Sequence, residues 1–157
     1  MSDAHELEAL RRARVRALDL LRTQINHELP THDWVVDAGH DEKERHWFVR
    51  LEGADKDFVT IWFELDERTL SYEAGFMPHP EENQLELFQY LLRLNLKLVG
   101  AQFAIGAEDA VYLVGALWLD EVSADRLDWV IGTVYAAVNA HWRTAMRIGF
   151  ASKFGRS

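Results

Sequence analysis

Apolar and polar positions along this chain recur with two periods, and each change of period marks a boundary between elements. From Asp3 to Glu28, Leu7, Leu10, Ala17, Leu18, Leu21 and Ile25 repeat at helical spacing, and Pro30 stops the run. Trp34 to Val36 reads as a short strand, followed by a charged loop from Asp37 to Arg45. The period then becomes two. His46 to Glu52 puts Trp47, Val49 and Leu51 on one face. Phe58 to Leu65 sets Val59, Ile61, Phe63 and Leu65 against Phe58 and Trp62, and Thr69 to Phe76 aligns Leu70, Tyr72, Ala74 and Phe76. The short turns at Gly53-Ala54-Asp55 and Asp66-Glu67-Arg68 predict an antiparallel meander of these three strands.

After Pro80 the period returns to helical, and the apolar arc becomes too wide. Between Gln84 and Val99, Leu85, Phe88, Leu91, Leu92, Leu96 and Val99 form one face. Leu87, Leu94 and Leu98 fall to its side, next to Tyr90. Only Glu86, Gln89, Arg93 and Lys97 share a polar stripe. A helix lying on one sheet needs an apolar arc of roughly 100°. This one has about twice that, which predicts a second apolar surface to meet it, from another copy or from a partner protein.

Gly100 ends that helix, and Ala101 to Ile105 and Ala110 to Leu119 read as strands around Gly106-Ala107-Glu108-Asp109. The second strand is apolar on both faces, with Tyr112, Val114, Ala116 and Trp118 opposite Val111, Leu113, Leu117 and Leu119. Ser123 caps a last helix with Leu127, Val130, Ile131, Val134, Val138, Trp142 and Ala145 inward. Its outer side carries Trp129 among Gly132, Thr133, Ala136 and Ala140, so Trp129 is expected to be an exposed anchor. A basic tail from Gly149 to Ser157 is expected to fray. The predicted fold is one α+β domain over residues 1–157, ordered α-β-β-β-α-β-β-α, with a mainly antiparallel sheet packed by helices.

Composition narrows the function. The 157 residues carry a formal net charge of −9, which argues against a phosphate-backbone partner. There is no Cys, so disulfides, thiolate zinc sites and cysteine nucleophiles are excluded. Neither a secretory leader nor a membrane-length apolar run is visible, and a cytoplasmic protein without membrane or nucleic-acid partners is expected.

The segment NLKLVGAQFAIGAEDAVYLVGALWL (Asn95 to Leu119), the helix from Ser123 to Trp142, and PEEN (Pro80 to Asn83) before LFQYLLRLN resemble the YbjN family. The family is described as bacterial sensory transduction regulators, and its fold is similar to that of the type III secretion chaperones. The resemblance covers about residues 45–150. It implies a non-enzymatic, cytoplasmic protein that binds others. The secretion chaperones are acidic homodimers that pair through the second helix and nearby strands. The expected interface is therefore Leu87, Tyr90, Leu94 and Leu98 on the outer side of the second helix, with Tyr112, Val114 and Trp118, alongside Trp129. The expected partners are a second copy and a protein client that the sequence does not name.

Chemistry is sparse beside this. No serine lies in a G-x-S-x-G elbow and no glycine-rich phosphate loop exists. His27, His32, Asp33, Asp37, His40, Asp41, Glu42, Glu44 and His46 crowd one region, but without helical i, i+4 spacing they read as a solvated acidic loop. Glu64 shares a strand face with Phe58 and Trp62. Arg14 falls inside the apolar arc of the first helix and must snorkel or find a partner. No catalytic residue, cofactor or metal is assigned. Two alternatives stand behind the binding module. One is a small-molecule sensor with an apolar pocket between sheet and helix, lined by Trp62, Phe58 or Tyr72. The other is a metal-dependent enzyme built on Asp33 to His46.

Overall fold

The computed structural model describes residues 2–154. The order is α1 (Ser2–Thr23), a π-helical turn (Gln24–Glu28), a 3-10 turn (Leu29–Thr31), then strands β1 (Val35–His40), β2 (His46–Glu52), β3 (Phe58–Leu65) and β4 (Thr69–Met77). There follow α2 (Gln84–Asn95), β5 (Gln102–Ile105), β6 (Val111–Trp118), α3 (Ala124–Gly149) and α4 (Ala151–Phe154). The six strands form one antiparallel sheet in the order β1-β2-β3-β4-β6-β5. The meander, the later hairpin and the Ser123 cap, whose hydroxyl accepts from Arg126 N–H at 3.0 Å, are as expected.

Alternation decides the architecture. Trp47, Val49, Leu51, Val59, Ile61, Phe63, Leu65, Leu70, Tyr72, Ala74, Phe76 and Leu113 are all buried, while the residues that alternate with them along each strand are not. The buried rows meet one stripe from each long helix, including Ala17, Leu21, Leu91, Val130, Val134 and Val138. All three long helices therefore cover the same face, and among the described residues the other face of the sheet carries no helix.

Polar contacts fix the layers. Arg14, expected to snorkel or find a partner, donates to the backbone carbonyls of Asp66 and Leu65 at the end of β3. Arg22 grips Glu44 through two N–H···O bonds of 2.6 and 2.9 Å, tying α1 to the β1–β2 turn. These bonds hold the Glu44 carboxyl below its usual range. At the other end of the sheet, Tyr135 donates to Glu52 O at 2.6 Å, and Arg143 meets Asp55 at 2.7 Å.

Several boundaries differ from expectation, among them the end of α2, which closes at Asn95 and not at Gly100. Asp37 to His40 belongs to a strand, because Asp41 closes the turn by accepting from the N–H of Arg45 and of His46. Pro80 does not start α2. Asn83 takes a left-handed conformation and the helix begins at Gln84. The freed Pro80–Asn83 segment binds the end of α3 instead: Glu82 N–H donates to Gly149 O and Asn83 Nδ2 to Ile148 O. Within the tail expected to fray, Ala151–Phe154 forms α4. Glu82 accepts from Ser152 N–H, Lys153 pairs with Glu81, and Phe154 packs edge-on against Trp142. Residues 155–157, including Arg156, lie outside the described residues.

Candidate interaction surface

The second helix carries the excess apolar surface expected of it, but the face read as inner is split: Phe88 and Leu91 pack inward, while Leu85, Leu92, Leu96 and Val99 turn out. Leu87 is 0% exposed and Leu91 is buried, with Tyr90, Leu94 and Leu98 half-buried against the core. The side expected to face a partner is thus the side that packs inward. Leu85, Leu92, Leu96 and Val99 face out, at 74, 66, 89 and 72% exposure. The cause is tertiary. The backbone at Gly149 approaches so closely that an added Cβ would lie 3.4 Å from Leu87 Cδ2 and 3.0 Å from Pro80 Cβ, which seats Leu87 under α3. The Tyr90 hydroxyl meets His141 Nδ1 at 3.0 Å. Asn95 clamps β5 by donating to Phe103 O at 3.0 Å and accepting from Phe103 N–H at 2.7 Å. These partners lie on the Leu87–Leu94 side, so that side turns in.

Trp129 is 37% exposed. Its ring covers Gly100, the turn residue between α2 and β5, and the Arg126 guanidinium sits 4.8 Å from the ring centroid. Gly100 has φ +86°, and its carbonyl accepts from the Tyr72 hydroxyl at 2.5 Å. Trp129 therefore anchors α3 to the α2–β5 turn within the chain, with only part of its area left to meet anything else.

Tyr112, Val114 and Trp118 alternate with buried Val111, Leu113 and Leu117, so they lie on the helix-free face of the sheet. They share it with Phe48, Phe58 and Trp62. The Phe48 and Trp62 rings meet at 5.1 Å. The strand residues expected to join the α2 interface are thus separated from α2 by the sheet, and the expected set does not form one surface. Tyr112 packs its ring over Gly106, whereas Trp118 stands 59% exposed at the strand end.

The chemical candidates are dispersed as well. Trp62 and Tyr72 border one small cavity of about 210 Å³, but Phe58 lies on the open face away from it, so the three do not line it together. His46 sits between Asp41 (3.1 Å) and Glu64 (3.5 Å), and Arg45 also reaches Glu64. Two bonds from His46, backbone first and then side chain, together with the Arg45 N–H, hold the Asp41 carboxyl down at about 2. Among the described residues, no three His, Asp or Glu side chains converge as metal ligands would. No helix among them is long and apolar enough to cross a membrane. Sequence reading missed Asn95 and Gly100 because an Asn near a helix end and a Gly after it look like ordinary termination.

An antiparallel sheet with three helices on one face, in this order, is the fold of the type III secretion chaperones. The structure is similar to a chain of the heterodimeric complex ExoU-SpcU from the type III secretion system of Pseudomonas aeruginosa, with a TM-score of 0.50 and 14% identity, over 76% of this chain and 90% of that one. The chain belongs to the YbjN family, described as a putative bacterial sensory transduction regulator, whose profile matches residues 21–144. That match starts inside α1, earlier than the resemblance read from Arg45 onward. Uncharacterised proteins of Mycobacterium tuberculosis and Mycobacterium leprae are 31% and 29% identical to it, over 69% and 66% of this chain. The chain spans 59% and 56% of their lengths.

Proposed function

We propose that this chain is a non-catalytic regulatory module that binds other proteins and acts as a homodimer paired through the outer side of α2. The observation that carries the reading is the exposure of Leu85 and Leu92 on the outer side of α2, and of Leu96 and Val99 in the turn that continues it, while the opposite side of the helix is already buried. Burying one such side chain contributes about 1.5–3 kcal/mol. Symmetric pairing buries the set twice, for about 12–24 kcal/mol gross. Lost translational and rotational freedom costs about 4–15 kcal/mol. One set laid on a polar surface would barely offset that cost, whereas two sets laid on each other exceed it over most of its range. A two-fold contact is also the commonest way in which identical chains close an apolar patch.

The test is Leu92→Glu and Leu96→Glu, each at a position where the isolated chain has nothing to lose. Light scattering is expected to give a folded particle at the single-chain mass of 18.2 kDa for both, with unchanged circular dichroism. Dimers of parental stability from both variants would refute the interface.

A further inference from the structure

A second surface, remote in character from α2, lies where the first turns of α1 pass the end of β6. The two elements enclose a groove of about 760 Å³. Leu7, Leu10 and Trp118 form its apolar lining, and Asp3, Glu6, Asp120 and Glu121 stand around it, with Arg68 as the basic residue. Leu7 and Trp118 are 53% and 59% exposed, although leucine and tryptophan are residues that folding ordinarily covers. Arg126 lies 3.9 Å from Glu121, while Asp3, Glu6 and Asp120 have no ion-pair partner among the described residues.

We infer that this groove takes a cationic, amphipathic segment of a partner polypeptide. Three features select that occupant. An exposed indole face attracts an ammonium or guanidinium group lying within about 6 Å of its centroid. Carboxylates around an apolar floor favour the same cation and disfavour phosphate, nucleic acid and anionic lipid. Small-molecule sites bury roughly 70–90% of their ligand, which a groove open to solvent along Leu7 and Trp118 does not do. A segment of a larger partner needs no such enclosure. Its apolar side chains would cover Leu7 and Leu10 while a Lys or Arg lies on Trp118 beside Asp120. The inference rests on reading the chain as a protein-binding module, and it is independent of pairing through α2.

Fluorescence anisotropy of a labelled peptide of alternating Lys and Leu tests it, with the Glu and Leu counterpart as control. The full chain is expected to bind the cationic peptide saturably, more weakly as salt rises, and the anionic peptide at least tenfold more weakly. Trp118→Ala and the double variant Glu6→Lys, Asp120→Lys change exposed side chains. Each is expected to weaken binding at least tenfold, while Leu96→Glu leaves it unchanged. No saturable binding, equal binding of both peptides, or parental affinity in both groove variants would overturn the proposal. Light scattering on the same samples separates the two readings. A dimer that ignores the peptide refutes the groove alone, and a monomer that binds it refutes the α2 pairing alone.

Discussion

Gly100→Ala strikes the point where α2, β4 and α3 meet. The added Cβ would lie 2.2 Å from Trp129 Cη2 and 2.8 Å from Cζ3, on a backbone with φ +86°. The left-handed conformation costs an L-residue about 1–2 kcal/mol. Displacing the indole adds about 1–3 kcal/mol, as overpacking does. The ring is partly exposed and can swing outward, which holds that cost toward its lower end. Together these give about 2–5 kcal/mol, against about 5–15 kcal/mol for a whole domain. With a urea dependence of about 1–3 kcal/mol per molar, the midpoint should fall by roughly 1–2 M at fixed protein concentration. Trp129→Ala in the Gly100→Ala background separates the two costs. The cycle should show a coupling of about 1–3 kcal/mol, because the contact is removed and the backbone strain stays. A midpoint indistinguishable from the parent, or costs that simply add, would refute the clamp.

Asn95→Ala is expected to free the Phe103 amide for fast hydrogen exchange and to cost about 1–3 kcal/mol, since both bonds to the edge strand β5 are lost together. Burial holds His141 below its ordinary histidine value. Its folded state thus binds fewer protons, so its contribution is complete above the ordinary value and is lost as pH falls below it. Urea midpoints taken from pH 7.5 to 5 should show that decline, shallower in His141→Gln. Asp41 has the same sign at lower pH: its contribution is present above the ordinary 3.8 and lost as pH falls through about 2. Carboxyl NMR titration should find it still ionised at pH 3, and a midpoint near 4 would contradict the turn geometry.

Periodicity made most of this fold legible, because a sheet covered on one face writes its buried row directly into alternate residues. Trp47-Val49-Leu51 and Val59-Ile61-Phe63 could only be one inner face. What the wheel of α2 could not decide was which of two apolar arcs turns inward. That choice is made by residues distant in sequence, Gly149, His141 and Phe103, each of which meets the Leu87–Asn95 side. Asp37 to His40 looked like loop for a related reason. As part of an edge strand with a bulge, it shows only a broken alternation, and its charge hid its pairing with β2. Trp118 was legible as part of one face of a strand apolar on both sides and was read as joining the α2 interface. Its place beside the first turns of α1 was not, since no local pattern records where a helix crosses the end of a sheet.

The claim on which the account rests is that the outward leucines of α2 are covered by a second copy. Sedimentation equilibrium of the parent chain in dilute solution tests it most directly. The account predicts twice the 18.2 kDa chain mass, falling to the single mass for Leu96→Glu. A parent that sediments as a stable single chain at micromolar concentration, with Leu92 and Leu96 open to solvent, would contradict it.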